Sequence, residues 1–158
     1  MDEKLTPTKL WYHSINDNSW DKKSYKNIYS INNFYDYNIV RDLFKQNHYQ
    51  NGMFFIMKED IFPNWEDPLN RMGGCLSFKV PSVNIVNYWN DLVLNFLTDK
   101  ILKTSNENIN GISISPKKEF NIIKIWFNDD SYDYKKDFIE YGEHHTISNS
   151  IYKKHTFN

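Results

Sequence analysis

The stretch of residues 61–74, IFPNWEDPLNRMGG, limits the fold more than any other part of the chain, because a regular helix or strand cannot run through it. Proline fixes its own φ, lacks an amide hydrogen and pushes the preceding residue away from helical geometry, and both Pro63 and Pro68 lie here. The double glycine at the end gives the backbone freedom to turn into the next apolar run. The sequence therefore predicts a loop that presents the indole of Trp65 with the carboxylate of Glu66 beside it.

Two tryptophans in polar surroundings are candidate ligand-binding residues. Trp65 has few local apolar neighbours to bury against, and Trp20 lies in residues 16–24, where every other residue is polar. Local context alone also allows Trp20 to be an ordinary exposed aromatic, since single exposed apolar residues are common. Two loop indoles can sandwich a flat cationic ring, and the Glu66 carboxylate can accept two parallel N–H bonds from the ring edge. These properties match 7-methylguanine, whereas unmethylated guanine lacks the charge and should bind less well.

The composition predicts one folded domain whose net charge is too small to attract nucleic acid over the whole surface. Hydrophobic residues make up 40% and aromatic residues 17% of the 158 residues, and the net charge is −1. The single cysteine, Cys75, excludes an internal disulfide and indicates a reducing compartment. No apolar run approaches the roughly 20 residues that span a bilayer, and residues 1–4 do not resemble a signal peptide. We expect a soluble, cytoplasmic monomer.

Hydrophobic periodicity predicts an α+β domain, an antiparallel sheet with helices on one face. Predicted strands are Leu10–Ile15, Tyr25–Phe34 anchored by Ile28 and Ile31, Met53–Met57, Cys75–Val80, Gly111–Ser115, Asn121–Asn128 and Phe138–Thr146. One helix is predicted from a cap at Asp36 to about Asn47, and a second from Ser82, with Trp89 in the core. Residues 129–137 are expected to form at most a short helix or turn, and residues 147–158 a polar tail.

Nothing in the sequence favours catalysis or a cofactor. His144, His145 and His155, taken with Cys75, lack the spacing of a zinc site, so they are interpreted as solvated polar residues. No nucleophile elbow or phosphate-binding glycine loop occurs. We therefore expect no catalytic residues, no metal and no cofactor.

The motif Trp-Glu-Asp followed by Asn and Gly-Gly, with an upstream Leu-Trp-Tyr and a loop tryptophan, resembles the eukaryotic translation initiation factor 4E family, which binds mRNA caps. The resemblance extends from about Leu10 to the C-terminus. It implies a single cap-binding domain over residues 10–158, with the cap on the concave side of a curved sheet and helices on its convex side. The short polar segment 1–9 before it is expected to be flexible. In the family two indoles sandwich the methylated base, matching Trp20 and Trp65, and a glutamate matching Glu66 binds the base edge.

The resemblance weakens at the positions that bind the cap phosphates. The family's arginine after the double glycine is Cys75 here, and the lysine four residues before the strand tryptophan, Trp126, is Ile122. The basic residue at the hairpin tip remains as Lys117 or Lys118. Further candidates that compensate for the missing charges are Lys124, Lys153 and Lys154.

The surface that binds a factor 4G-like scaffold in the family is also altered. The first-helix tryptophan aligns with Arg41, whereas the second helix retains Trp89, Asp91 and Leu94. Arg41 is expected to abolish or redirect the usual partner. The interval after Trp126 is shorter than in the family, so its third helix is expected to be missing or reduced.

Three functions follow from these residues. The first is a protein that binds capped mRNA, either recruiting it for translation or sequestering it. The alternative, motivated by Cys75 and Ile122, is a protein-interaction module that keeps the fold but has lost or weakened cap binding. An enzyme acting on capped RNA is disfavoured, because no nucleophile or metal cluster accompanies the loops.

Overall fold

The segments of alternating apolar and polar residues form an antiparallel sheet with strands of different lengths. The computed structural model describes residues 5–156. Its strands are β1 (Thr8–Ser14), β2 (Tyr25–Ile31), β3 (Gly52–Lys58), β4 (Gly74–Pro81), β5 (Ile109–Pro116), β6 (Phe120–Phe127) and β7 (Ser150–Lys154). They lie in the order β2-β1-β3-β5-β6-β4-β7, and each neighbouring pair is antiparallel. The predicted sheet type is confirmed.

Three α-helices cover one face of this sheet. They are α1 (Phe34–Leu43), α2 (Gln46–Asn51) and α3 (Ile85–Leu97). The main core lies between them and the sheet, because α3 buries its apolar stripe, including Trp89 and Phe96, against strand residues such as Leu76 and Ile112. Helices on one face of an antiparallel sheet confirm the α+β class. None of the helices in residues 5–156 is long and apolar enough to cross a bilayer.

Both helix starts differ from the prediction. Asn33, not Asp36, caps α1, since its side chain accepts the Asp36 amide hydrogen at 2.9 Å. The helix predicted to continue to Asn47 ends at Leu43, because Phe44 is extended and packs its ring against Phe54. Similarly, a 3-10 turn at residues 82–84 precedes α3, so Ser82 does not cap it.

The predictions for the last third of the chain are partly wrong. Residues 138–146 form isolated bridges at Phe138 and between Tyr141 and His145, not a strand. The expected polar tail instead contains β7, which pairs with β4 at the sheet edge. An edge strand buries little, and Ile151 is 74% exposed, so β7 lacks the apolar alternation that identifies inner strands.

The predicted loss of the third helix is confirmed. Between β6 and β7, residues 128–149 form two 3-10 turns, at Tyr134–Lys136 and Ile147–Asn149, and no α-helix.

The N-terminal prediction falls partly on residues 1–4, which lie outside the described range. The flexible segment does not extend over residues 5–9. Leu5 is buried, the Thr6 amide donates to the Leu97 carbonyl at 3.2 Å, and β1 already begins at Thr8. The side chain of Leu5 joins the main core, which fixes this part of the chain.

A one-residue bulge in β2 explains why Ile28 is not the predicted core anchor. The β1–β2 register passes from Leu10↔Tyr29 to Trp11↔Asn27, so Ile28 is the extra residue and is 42% exposed. The bulge reverses the side-chain alternation. Tyr29 therefore packs on the helix side, whereas Tyr25 reaches the opposite face.

Candidate functional site

The sheet face opposite the helices carries a second apolar cluster. Its members are contributed by five strands, the edge strand β2 among them, and by the loop after β3: Tyr25, Phe55, Met57, Ile61, Cys75 and Trp126, with Trp11, Met53 and Phe62 partly buried beside them. Trp126 is fixed by donating its indole N–H to the Ser113 hydroxyl at 3.0 Å. Trp11 packs beside this cluster and not in the main core. The cluster forms an aromatic floor for a site.

A cavity of about 360 Å³ opens above this floor. Trp20, Trp65 and Glu66, which the sequence placed in two separate loops, all line it, together with Lys124 of β6. Large aromatic side chains are usually buried, yet Trp20 is 54% and Trp65 48% exposed. The fold therefore brings both loop indoles, a carboxylate and an ammonium group to one opening.

The Trp20 indole is supported by a histidine that the sequence prediction missed. The buried ring of His13 lies parallel to Trp20, with centroids 3.9 Å apart and an interplanar angle of 6°. Its Nε2 is 2.9 Å from the carbonyl oxygen of Ser19, the residue before Trp20. His13 shares a strand face with Trp11, which is the signal that could have identified it. The stack covers part of the Trp20 indole and holds its loop against β1.

The Trp65 loop is ordered by hydrogen bonds of its own short polar side chains. The Asn64 side chain accepts the Asp67 amide hydrogen at 2.9 Å, and the Asp67 carboxylate accepts those of Phe62 and Leu69 at 3.2 and 2.9 Å. Such turns are typical of Asn and Asp. Asp67 therefore shapes the loop, while Glu66, its exposed neighbour, lines the cavity.

The double glycine is required by close packing and not by unusual backbone angles. Neither Gly73 nor Gly74 has a positive φ. A Cβ at Gly73 would overlap the backbone carbonyl of Phe127, where the loop passes close to the end of β6. The predicted turn is present, since the Gly73 amide donates to the Asn70 carbonyl at 3.0 Å, and the glycine in addition allows a close approach of two backbones.

The cavity is electrostatically negative on the side of Glu66. Burial raises the pKa of the Tyr25 hydroxyl to about 12, and the nearby negative charge of Glu66 contributes in the same direction. Both effects disfavour a second anion at this place. A carboxylate beside aromatic faces suits a cationic ring that also carries N–H donors.

Lys124 occupies a central position among the predicted basic residues. Besides the Trp20–Trp65 cavity it lines a neighbouring cavity of about 680 Å³, with Lys153, Lys154 and His155, and another of about 490 Å³, with Lys117 and Ile122. Lys118, by contrast, lines a separate cavity with Lys79 and Phe120. The hairpin tip therefore offers Lys117, and not Lys118, to the site.

The two positions without the expected charge lie close to other lysines. On the cavity face, Lys153 of β7 is directly opposite Cys75, and Lys79 of β4 is directly opposite Ile122. Lys124 follows Ile122 by two residues on the same face of β6. Positive charge is thus present on neighbouring strands, at positions displaced from those the resemblance implies.

The histidine interpretation is wrong for His145 and for His155. His145 is 1% exposed and stacks on Tyr141 with centroids 4.1 Å apart, and burial lowers its pKa to about 3. His155 is half-buried, with Nε2 3.1 Å from Cys75 Sγ. Burial raises the pKa of the Cys75 thiol to about 12, with the Lys124 charge opposing. Within residues 5–156 no three His, Cys, Asp or Glu side chains converge on a metal position.

On the helix face, one predicted partner residue is wrong. Trp89 is 1% exposed and packs in the core, as its helical spacing indicated, so it cannot contact a partner. Arg41 and Asp91 are exposed, and Leu94 is half-buried. The helices that carry them are joined where the Tyr37 hydroxyl donates to the Asn90 carbonyl at 3.2 Å.

Comparison with known proteins places these features in a family. The model of the family "Eukaryotic initiation factor 4E" matches residues 6–156. Two plant proteins named eukaryotic translation initiation factor NCBP, from Oryza sativa subsp. japonica and Triticum aestivum, are 31% identical over 71 residues. These alignments cover 45% of this chain and 30% of each relative, so the chain matches less than a third of their length.

Solved structures share the fold. C. elegans eIF4E-3, in complex with the 4E-binding protein Mextli and a cap analog, superposes with a TM-score of 0.75 at 20% identity, covering 84% of this chain and 78% of that chain. Ascaris suum eIF4E-3 with the m7G cap gives a TM-score of 0.74 at 19% identity, covering 84% and 77%. At these identities the likeness establishes the architecture.

Proposed function

Because the chain belongs to the eukaryotic initiation factor 4E family, we propose that it binds the 7-methylguanosine cap of mRNA and acts in translation initiation or its control. The observation that carries this proposal is the single cavity lined by Trp20, Trp65 and Glu66. C. elegans and Ascaris suum eIF4E-3, which share the fold, are known in complex with cap analog and m7G cap. The proposed role is binding without chemical turnover.

The methylated base is proposed to stack between the indoles of Trp20 and Trp65. Methylation at N7 makes the ring cationic, and a cation on an aromatic face gains about 0.5–1 kcal/mol when exposed and about 2 kcal/mol when desolvated. For two half-exposed indoles, a gain of about 2–3 kcal/mol corresponds to a preference of roughly 30- to 150-fold over unmethylated guanine. Glu66 accepts the N1 and 2-amino hydrogens, and the Trp65 amide donates to the guanine carbonyl.

The phosphate chain is proposed to run past Lys124 and on toward Lys117 or Lys153. Lys124 lines both cavities through which phosphates can leave the base cavity. A lysine binds phosphate as a point charge without strict geometry, so its displacement along or across strands still allows an ion pair. Lys118 is not part of this proposal, since it lines a different cavity.

The helix face is proposed to bind a factor 4G-like scaffold or a divergent partner through Arg41, Asp91 and Leu94. The complex of C. elegans eIF4E-3 with Mextli supports a protein partner for this fold. Since Arg41 is charged and exposed, the partner is expected to offer an acidic group where the family's tryptophan would require an apolar one. The alternative function, an interaction module with weak or no cap binding, is favoured by the uncharged Cys75 and Ile122.

The proposal is tested by calorimetric titration with 7-methyl-GTP and with GTP. Trp20→Ala and Trp65→Ala should each weaken 7-methyl-GTP binding by roughly 10- to 100-fold, since stacking on an aromatic contributes about 1–3 kcal/mol. Glu66→Gln should weaken it about tenfold. Calorimetry keeps the loss of a fluorophore from affecting the measurement.

Tyr35→Ala is the matched control, because it removes another exposed aromatic, 73% exposed, on α1. Its affinity for 7-methyl-GTP should equal that of the wild type. Equal affinity of the wild type for GTP and 7-methyl-GTP would exclude cap recognition. The interaction-module function would then replace it.

A further inference from the structure

The Trp65 loop is tied to the sheet by a bulge in β5. The β5–β6 register passes from Ile109↔Phe127 to Gly111↔Trp126, so Asn110 is the extra residue. Asn110 has no partner in the strand pairing. Its buried side chain donates to the Asn70 side-chain oxygen at 2.8 Å and to the Leu69 carbonyl at 2.7 Å. The bulge therefore supplies a buried donor to the loop.

The same loop is tied to the end of β7 by His155. The His155 amide donates to the Gly73 carbonyl at 3.0 Å, and its ring Nδ1 is 2.7 Å from the Asn70 carbonyl oxygen. A carbonyl can only accept, so Nδ1 carries a hydrogen and Nε2 of the neutral ring accepts from the Cys75 thiol at 3.1 Å. Burial lowers the pKa of His155, which favours this neutral ring. The Asn70 carbonyl thus fixes the tautomer, and the Cys75 thiol pairs with the remaining ring nitrogen.

Asn70 connects both ties to Trp65. It is fully buried, and its amide nitrogen donates to the Phe62 carbonyl at 3.0 Å and the Asn64 carbonyl at 2.8 Å. Asn64 immediately precedes Trp65 in the chain, and Phe62 lies three residues before it. A displacement of Asn70 therefore moves the backbone that carries the indole.

We propose that His155 is a positioning residue for cap binding, which holds Asn70, and through it the Trp65 indole, from the C-terminal strand. This inference rests on the proposed function for its effect on affinity. The hydrogen bonds cross 85 positions of sequence between Asn70 and His155. The cysteine at the position where the family has arginine thereby has a role of its own, as the partner that orients the imidazole.

Two amide replacements of His155 distinguish the contributions of its two ring nitrogens. The amide nitrogen of His155→Asn lies near the position of Nδ1 and can still donate to the Asn70 carbonyl. The amide of His155→Gln lies near Nε2, so it can pair with Cys75 but not with Asn70. His155→Ala removes both contacts, and Ile151→Ala is the matched control, an exposed β7 side chain outside the network.

Affinity for 7-methyl-GTP and amide hydrogen exchange are measured on the full chain. His155→Ala and His155→Gln should bind 7-methyl-GTP roughly tenfold more weakly than the wild type, because the buried Asn70 carbonyl loses the imidazole donor and keeps only the Gly73 amide, at 3.0 Å. Both should exchange faster within residues 61–74 while the Trp20 loop, residues 16–24, is unchanged. His155→Asn should restore affinity to within about threefold and should restore the protection of residues 61–74.

Three results would overturn the inference: equal behaviour of the Asn and Gln variants, an effect of His155→Ala no larger than that of Ile151→Ala, or faster exchange throughout the sheet, which would indicate general destabilisation. If the wild type fails to bind 7-methyl-GTP, the proposed function is wrong. Exchange in residues 61–74 then decides the inference alone. Faster exchange in His155→Ala supports the tie to the loop, and unchanged exchange excludes it.

Discussion

Lys124→Met is the most informative test of the proposed binding of cap phosphates. The side chain is half-buried on the cavity face of β6, opposite Ser77 of β4 and Ser113 of β5. Methionine keeps an unbranched apolar stem of similar length and removes the ammonium group, so packing against the neighbouring strands is preserved. The change therefore isolates the charge.

The expected loss follows from the position of Lys124 between three cavities. A charge-assisted hydrogen bond contributes about 1.5–3 kcal/mol, which is equivalent to a factor of roughly 10 to 150 in affinity. A second phosphate farther than about 8 Å away adds little, since salt screens exposed charges over this distance. We expect 7-methyl-GTP to bind Lys124→Met roughly 10- to 100-fold more weakly than the wild type.

The assay compares three ligands by calorimetry: 7-methylguanosine, its monophosphate and its triphosphate. The nucleoside should lose less than about twofold in Lys124→Met, because it lacks phosphates, whereas the triphosphate should show the full loss. Lys118→Met is the matched control, since this lysine lies on the same strand hairpin but lines a separate cavity. It should retain wild-type affinity for all three ligands.

An equal loss for the nucleoside and the triphosphate would refute the reasoning, because Lys124 would then act on the base cavity or on folding. A loss in Lys118→Met as large as that in Lys124→Met would also refute it. The phosphates would then respond to the overall charge of the surface and not to a located ammonium group.

Two further perturbations test other parts of the structure. Ile122→Lys restores a charge beside Lys117 and Lys124, so it should strengthen 7-methyl-GTP binding about tenfold without changing nucleoside binding; calorimetry with both ligands checks this. Burial lowers the pKa of His145 to about 3 in the folded chain. Below pH 6.5 this histidine is therefore protonated in the unfolded chain and still neutral in the folded one. The free energy of unfolding should then fall by up to about 1.4 kcal/mol for each unit that the pH decreases. Urea unfolding at pH 7 and pH 5 should show a smaller decrease for His145→Gln than for the wild type, with His144→Gln as the unchanged control.

The inner strands and the loop tryptophans were predictable because local chemistry determines them. Met53–Met57 and Cys75–Val80 belong to β3 and β4, which each pair with a strand on both sides, and burial there enforces strong apolar patterns. Pro63 and Pro68 exclude regular structure whatever surrounds them. Edge strand β7 was missed because one exposed edge and a solvated face leave little apolar pattern to detect.

The supporting residues were not predictable, because their roles depend on distant partners. His155 contacts Asn70 and Cys75, 85 and 80 positions away. Local sequence makes His155 part of a polar tail, and nothing near it indicates that its ring becomes half-buried. Lys117 and Lys118 are equivalent in sequence, and only the alternation of the hairpin separates the cavities they line.

The two bulges explain much of the side-chain placement that hydrophobic periodicity could not predict. A strict alternation would keep Tyr25 on the same face as Ile31, in the core beneath the helices, and would leave the cavity without a buried aromatic beside Glu66. The extra residue Ile28 reverses this alternation, so that one strand serves both the core and the cavity floor. Asn110 is the corresponding extra residue in β5, and its release from the strand pairing is what allows it to bind Asn70. Each bulge interrupts regular strand pairing at one residue. In both cases the residues that the bulge reorients lie next to a tryptophan loop. This is expected if the irregularities serve the site and not the stability of the sheet.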